Sequence, residues 1–276
     1  MPRNLVLINS LNYKGGNTFI YKLPHPVSFK EAKLSLYSFS MYNSTFNISS
    51  TIGNNTFSIN WPGIANAFNF IIPDGYYSYS DLNAFIQYCC LSNKLYIIAS
   101  SQPSYFISLT QNNVRYAAQL NVLYIPTQAT ATSLSYSLPS GAAWTFPTTN
   151  QTPTLTICSG LQSYLGMLSQ SQFPLTVQTT NQSFLSTSCP IVSSVYCYLI
   201  TTNLVSSSYN NVPTLFAQIP LTSSYGSLIT VNNAQQQQVE IRDGIYSEIV
   251  IQFWDQSYNA LVFKDTELTL SLIIET

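Results

Sequence analysis

Leu268-Thr269-Leu270-Ser271-Leu272-Ile273-Ile274 decides the fold class. Leu268, Leu270, Leu272 and Ile274 recur every second residue, opposite Thr269, Ser271 and Ile273. A helix with about 3.6 residues per turn would put residues two apart on nearly opposite sides. A strand puts them on one face, so the period of two predicts a β-strand with one buried face.

The same period appears throughout the chain. Ile249, Ile251 and Phe253 share a face opposite Val250 and Gln252, and Val195, Cys197 and Leu199 alternate with Tyr196 and Tyr198. Phe57, Ile59 and Trp61 alternate with Ser58 and Asn60. Phe68, Phe70 and Ile72 follow, and Tyr105, Ile107 and Leu109 alternate with Phe106 and Ser108. These short runs are rich in β-branched and aromatic types and end at turn formers such as Lys14-Gly15-Gly16-Asn17, Pro73-Asp74-Gly75 and Asp243-Gly244. Some are apolar on both faces, which fits a strand covered on two sides.

Helical spacing is rare. Ser80–Leu91 carries Leu82, Phe85, Ile86, Cys89 and Cys90 at one face, with Ser80 placed to cap and Asp81 placed to complement the dipole. Gly160–Leu168 forms a second, shorter candidate. One or two short helices among eight or more strands predict an all-β chain, a single jelly-roll β-sandwich over 1–276. Residues 126–156, rich in Thr, Ser, Pro and Gln, read as a long loop or a protruding insertion within that domain.

Of 276 residues, 7% are charged and 46% are hydrophobic, with 20 Tyr and 15 Phe. Soluble domains carry about 25% charge. So many aromatics with so little charge exclude a disordered chain. A large neutral surface rich in hydroxyl groups predicts that much of it lies against neighbouring chains. The charges that exist are unevenly spread. Residues 1–115 are net positive, residues 116–239 carry no charge at all, and residues 240–276 are net negative. In a jelly roll the first and last strands lie side by side, so the basic beginning and acidic end are expected to meet each other or a neighbouring chain.

Catalytic chemistry finds little material here. The sole histidine, His25, sits between Pro24 and Pro26, with no second histidine for a metal site. Cys89, Cys90, Cys158, Cys189 and Cys197 form no ligand pattern and read as small buried apolar residues. Asp74 and Asp81 flank Tyr76, Tyr77 and Tyr79. That set would suit a cation or a sugar, but a turn and a helix start explain the two acids more simply. Asp243/Glu248 and Asp265/Glu267 do not match a calcium loop, and phosphate-binding glycine motifs are absent. Sequons at Asn43, Asn47, Asn54, Asn150 and Asn181 are about as frequent as composition alone gives. No catalytic, cofactor-binding or metal-binding residue is assigned, and an enzyme is not expected. Lys14, Lys22, Lys30 and Lys33, interleaved with Tyr13 and Tyr21, form a sparse basic cluster better read as a solvated face than as a nucleic-acid site. No apolar run reaches transmembrane length, and the N-terminus lacks the form of a signal peptide, so synthesis in a reducing compartment is expected.

Three stretches resemble the penton, or minor capsid, proteins of virophages and polinton-like viruses. The first is Phe57-Ser58-Ile59-Asn60-Trp61, then Phe70-Ile71-Ile72-Pro73-Asp74-Gly75-Tyr76-Tyr77-Ser78, then Asp81-Leu82-Asn83-Ala84-Phe85-Ile86-Gln87. The second is Ser159-Gly160-Leu161 with Tyr164-Leu165-Gly166-Met167. The third runs from Val195-Tyr196-Cys197-Tyr198-Leu199 through Leu215-Phe216-Ala217-Gln218-Ile219-Pro220 to Ile251-Gln252-Phe253-Trp254-Asp255. The resemblance implies a virion protein, made in the host cytoplasm. It implies a homopentamer that closes the five-fold vertices of an icosahedral shell beside a double-jelly-roll major capsid protein. It brings no catalytic residues. A receptor- or glycan-binding jelly roll at a virion surface, using Tyr76, Tyr77 and Tyr79 beside Asp74, is the alternative.

Overall fold

The computed structural model describes residues 3–188, 190, 195–205, 214–232 and 237–276. Cys189 therefore lies outside the described residues. The chain opens with β1 (Arg3–Asn9) and a 3-10 turn, then β2 (Tyr13–Gly15), β3 (Thr18–Phe29) and β4 (Lys33–Tyr42). Next come β5 (Thr56–Asn60), β6 (Phe68–Ile71) and α1 (Tyr79–Ser92). The hairpin β7 (Ile97–Ala99) and β8 (Gln102–Ser104) precedes β9 (Ile107–Asn112), β10 (Ala117–Val122) and α2 (Gln128–Ser133). β11 (Thr154–Ile157), α3 (Ser159–Leu165), β12 (Gln172–Phe173) and β13 (Gln182–Leu185) follow. The last part holds β14 (Cys197–Thr202), β15 (Leu215–Pro220), β16 (Leu228–Asn232), β17 (Gln238–Glu240), β18 (Gly244–Trp254) and β19 (Leu268–Glu275). The chain is all-β in class, as the period of two requires, and its described strand pairs are antiparallel.

Contacts gather in two compact units. One is built from both ends of the chain, Met1–Phe46 with Val195–Thr276, and the other is the continuous stretch Asn47–Ser194.

The unit made from the chain ends has two sheets, ordered β1-β19-β4-β16 and β15-β14-β18-β3, with β17 beside β4 and β2 beside β3. Ranked along the chain, its eight main strands run 1-8-3-6 in one sheet and 5-4-7-2 in the other. That is the strand order of an eight-stranded jelly roll. Alternation fills the space between the sheets. Val6, Ile8, Leu34, Phe39, Leu270 and Leu272 point in from one sheet. Phe19, Tyr198, Ile200, Ile249, Ile251 and Phe253 point in from the other. The Lys14–Asn17 turn joins β2 to β3, with Gly15 and Gly16 at φ 112° and 58°, values that glycine reaches without a steric cost.

The second unit, Asn47–Ser194, has sheets ordered β12-β11-β5-β6 and β13-β10-β9 and the hairpin β7-β8. Phe57, Ile59, Leu155, Ile107, Leu109 and Leu120 meet in its core, together with Leu82, Ile86, Cys89 and Cys90 of α1. Trp61 packs edge-on against Trp144, ring centres 5.1 Å apart. Residues 126–156, expected as a long loop, lie in this unit and are held at several points. α2 occupies Gln128–Ser133, Ile125 bridges to Gln151, Ser137 bridges to Ile98, and Trp144 donates its indole N–H to the Lys94 carbonyl at 2.8 Å.

Two helix boundaries differ from the sequence reading. The N-cap of α1 is Ser78, not Ser80. Ser78 Oγ accepts from Asp81 N while Asp81 accepts from Ser78 N, a reciprocal box that satisfies two free donors. α3 stops at Leu165 because Gly166 turns left-handed at φ 70°.

Candidate assembly surface

The sequence-selected polar residues do not converge on one site. Asp74 accepts from the backbone N–H and the hydroxyl of Ser50, at 2.8 and 3.1 Å. Asp81 is committed to the Ser78 cap, and those hydrogen bonds hold its carboxyl below the usual carboxylate range. Both acids therefore serve a turn and a helix start. Tyr77 donates to the Pro73 carbonyl at 2.9 Å. Tyr79 is buried, its hydroxyl without a hydrogen-bond partner, and desolvation pushes its pKa up to about 12. Only Tyr76 of the three keeps an exposed ring. Beside the start of α1, an open groove of about 420 Å³ is lined by Ser78, Tyr79, Ser80, Asn83, Thr110 and Gln111.

Cys89, Cys90 and Cys197 are buried and Cys158 is half-buried. Burial pushes the Cys89 thiol up to about 11 and the Cys90 thiol up to about 12, so neither is a thiolate near neutral pH. His25 is exposed on β3. Among the described residues, no group of three or more His, Cys, Asp or Glu could hold a metal ion. Also among them, no helix is long and apolar enough to cross a membrane. Asp255 accepts from the N–H groups of Ser257 and Asn259, and Asp265 from that of Glu267, so these acids stabilise turns.

Charge becomes organised only through strand pairing. The jelly roll lays basic N-terminal strands against acidic C-terminal ones. Arg3 of β1 stands opposite Glu275 of β19, Lys22 of β3 opposite Glu248 of β18, and Lys33 of β4 opposite both Glu275 and Glu240 of β17. Arg3 Nε lies 2.8 Å from Glu275 Oε1, and Gln238 donates to the other carboxylate oxygen at 2.7 Å. Glu275 is 9% exposed and Arg3 65% exposed. Directly opposed residues of antiparallel strands share a face. Arg3, Glu275, Lys33 and Glu240 therefore form one row across the sheet, alternating in sign from edge to edge. Two of the four lysines once grouped as a basic cluster, Lys22 and Lys33, thus face carboxylates across a strand pair.

Beyond this row the outer face of the same sheet is neutral. Leu5 and Leu7 of β1 are 65% and 48% exposed, and Leu11, in the turn that follows, 85%. Behind them in register come Ile273, Ser271 and Thr269 of β19, then Ser35, Ser38 and Ser40 of β4; Thr269 is exposed, Ile273, Ser38 and Ser40 are half-buried, and Ser271 and Ser35 are buried. Sequence reasoning missed this row because register is not local. Its trace was the parity of Arg3, Leu5 and Leu7 against the inward Val6 and Ile8.

No family model and no curated protein matches the sequence. Among solved structures, the chain is similar to the selenomethionine-labelled penton protein of mavirus. The two are 11% identical, the match covers 99% of this chain and 98% of that one, and the TM-score is 0.42.

Proposed function

We propose that this chain is a structural capsid protein, a penton. Five copies close each five-fold vertex of an icosahedral virion, beside a double-jelly-roll major capsid protein. The observation that carries the reading is the jelly-roll strand order of the unit made from the two chain ends. The sequence resemblance in the stretches around Phe57, Gly160 and Val195 supports it. So does the neutral outer face with Leu5 and Leu7 exposed, since an assembled subunit covers such surface with its neighbours. The whole of 1–276 acts as one subunit, with the Asn47–Ser194 unit as an insertion between β4 and β14 along the chain. Cryo-electron microscopy of particles that contain the protein tests the role. Density for five copies at the vertices supports it, and absence from purified particles refutes it.

A second reading, glycan binding at a virion surface, has one observation in its favour. The groove at the start of α1 is lined by neutral hydroxyl and amide groups together with Leu109 and the Tyr79 ring. A glycan array with no hit removes that reading.

A further inference from the structure

The groove beside α1 runs between the first turn of that helix and β9, at Leu109, Thr110 and Gln111. A strand edge ordinarily suits an added peptide strand. This one does not, because the Leu109 N–H already donates to Asn83 Oδ1 of α1 at 2.9 Å. A peptide strand would have to break that bond. The same bond fixes the plane of the Asn83 amide. Its Nδ2 keeps two donors, with no partner among the described residues. Ala118, opposite Gln111, gives its N–H and C=O to Ser186, away from β9. Gln111 therefore turns its own backbone groups away from β10, as Leu109 does. The Gln111 side chain is exposed and unpartnered among the described residues. Tyr79 is more than nine-tenths buried in the groove wall, and its hydroxyl makes no hydrogen bond.

The residues that line the groove carry no charge. Asp81 Oδ2 sits 2.6 Å from Ser78 Oγ, so the charge at this rim is negative and repels an anion. Thr110 carries the lining onto the outer face of its sheet. There Asn112 donates to Gln119, and Gln119 to Asn121 and Ser183, a fixed and uncharged amide platform. Tyr116 is 66% exposed and lies close enough to Tyr79 for its charge to push that pKa up, so an exposed ring stands near the groove. The volume of about 420 Å³ falls within the range of small-ligand sites, about 300–1,000 Å³.

We propose that this groove binds a neutral saccharide, its hydroxyls held by Asn83 Nδ2 and the Gln111 amide, with Tyr116 supplying apolar contact to the sugar ring. Pinned amides beside exposed aromatic surface, without a counter-charge, match a ligand that offers hydroxyls and C–H faces and no ion. This inference rests on the glycan-binding reading above and adds the contacting residues and the neutral class.

The test uses labelled full-length protein on an array of neutral, sialylated and sulfated oligosaccharides. Calorimetry then gives Kd of the strongest hit for wild type, Gln111→Ala and Asn83→Asp. Asn83→Asp keeps the acceptor for the Leu109 N–H and removes the Nδ2 donors. Gln111→Ala, at an exposed position, keeps the test open should Asn83→Asp fold poorly. Hits among neutral glycans, weakened roughly fivefold or more by each folded variant, are the expected result. Hits confined to sialylated or sulfated glycans overturn the neutral class and leave glycan binding standing. Neutral hits that both folded variants leave unchanged overturn the site. An array without hits removes this proposal together with the reading it rests on.

Discussion

Phe253→Ala probes the jelly-roll core where it is densest. Phe253 is fully buried on β18, between β14 and β3. Its ring centre lies 5.7 Å from those of Phe19 and Phe263, 6.0 Å from Phe39 and 6.4 Å from Tyr198. Removing a buried Phe side chain costs about 3–5 kcal/mol in lost transfer energy and residual cavity. Aromatic pairs add about 0.5–1.5 kcal/mol each beyond area, so the upper end applies here. With m near 2 kcal/mol/M in urea, the unfolding midpoint should fall by roughly 2 M. Phe253→Leu keeps most of the volume and should cost less than half as much. Urea unfolding followed by tryptophan emission measures both, since Trp254 adjoins the site. A loss below about 1 kcal/mol for Phe253→Ala would show that this cluster does not hold the sandwich together.

Ser78→Ala removes the cap of α1 and should cost about 1 kcal/mol. The carboxyl of Asp81 is held below its ordinary range, so its share of that stability is present above the ordinary carboxylate pKa. It fades as pH falls through the folded value, and an acid titration of Ser78→Ala should show a shallower decline than wild type. Cys89 and Cys90 should resist alkylation in the folded protein at pH 8 and react fully in denaturant, as read by mass spectrometry. Their raised pKa values mean that this burial stabilises below pH 9 and is lost as pH climbs toward 11 or 12. Gly166→Ala should destabilise by more than about 2 kcal/mol in thermal melts. Gly166 is left-handed, and an added Cβ would strike the backbone carbonyl of Ser188.

Strands with one buried face were legible because their alternation is local. Leu268 to Ile274 and Ile249 to Phe253 sit in the core as their spacing requires. β14 was legible as a strand but not in its orientation, because both its faces are buried. The Ser78 cap is present in the sequence as Ser78-x-x-Asp81, two residues before Ser80. α2, Gln-Ala-Thr-Ala-Thr-Ser, has no apolar period and left no trace. The boundaries of the Asn47–Ser194 unit were invisible for a different reason. They fall in stretches that carry no distinct linker composition, and only long-range pairing of β4 with β19 reveals that the chain ends close on each other. The charge asymmetry was legible as a count. Its meaning came from topology, which sets Arg3 beside Glu275 across 272 positions of sequence.

The central claim is self-assembly through the jelly roll, and the mass of the particle in solution tests it most directly. Native mass spectrometry of the full-length protein at micromolar concentration should give a species of five times the 30.7 kDa chain. A stable 30.7 kDa monomer under the same conditions contradicts the account.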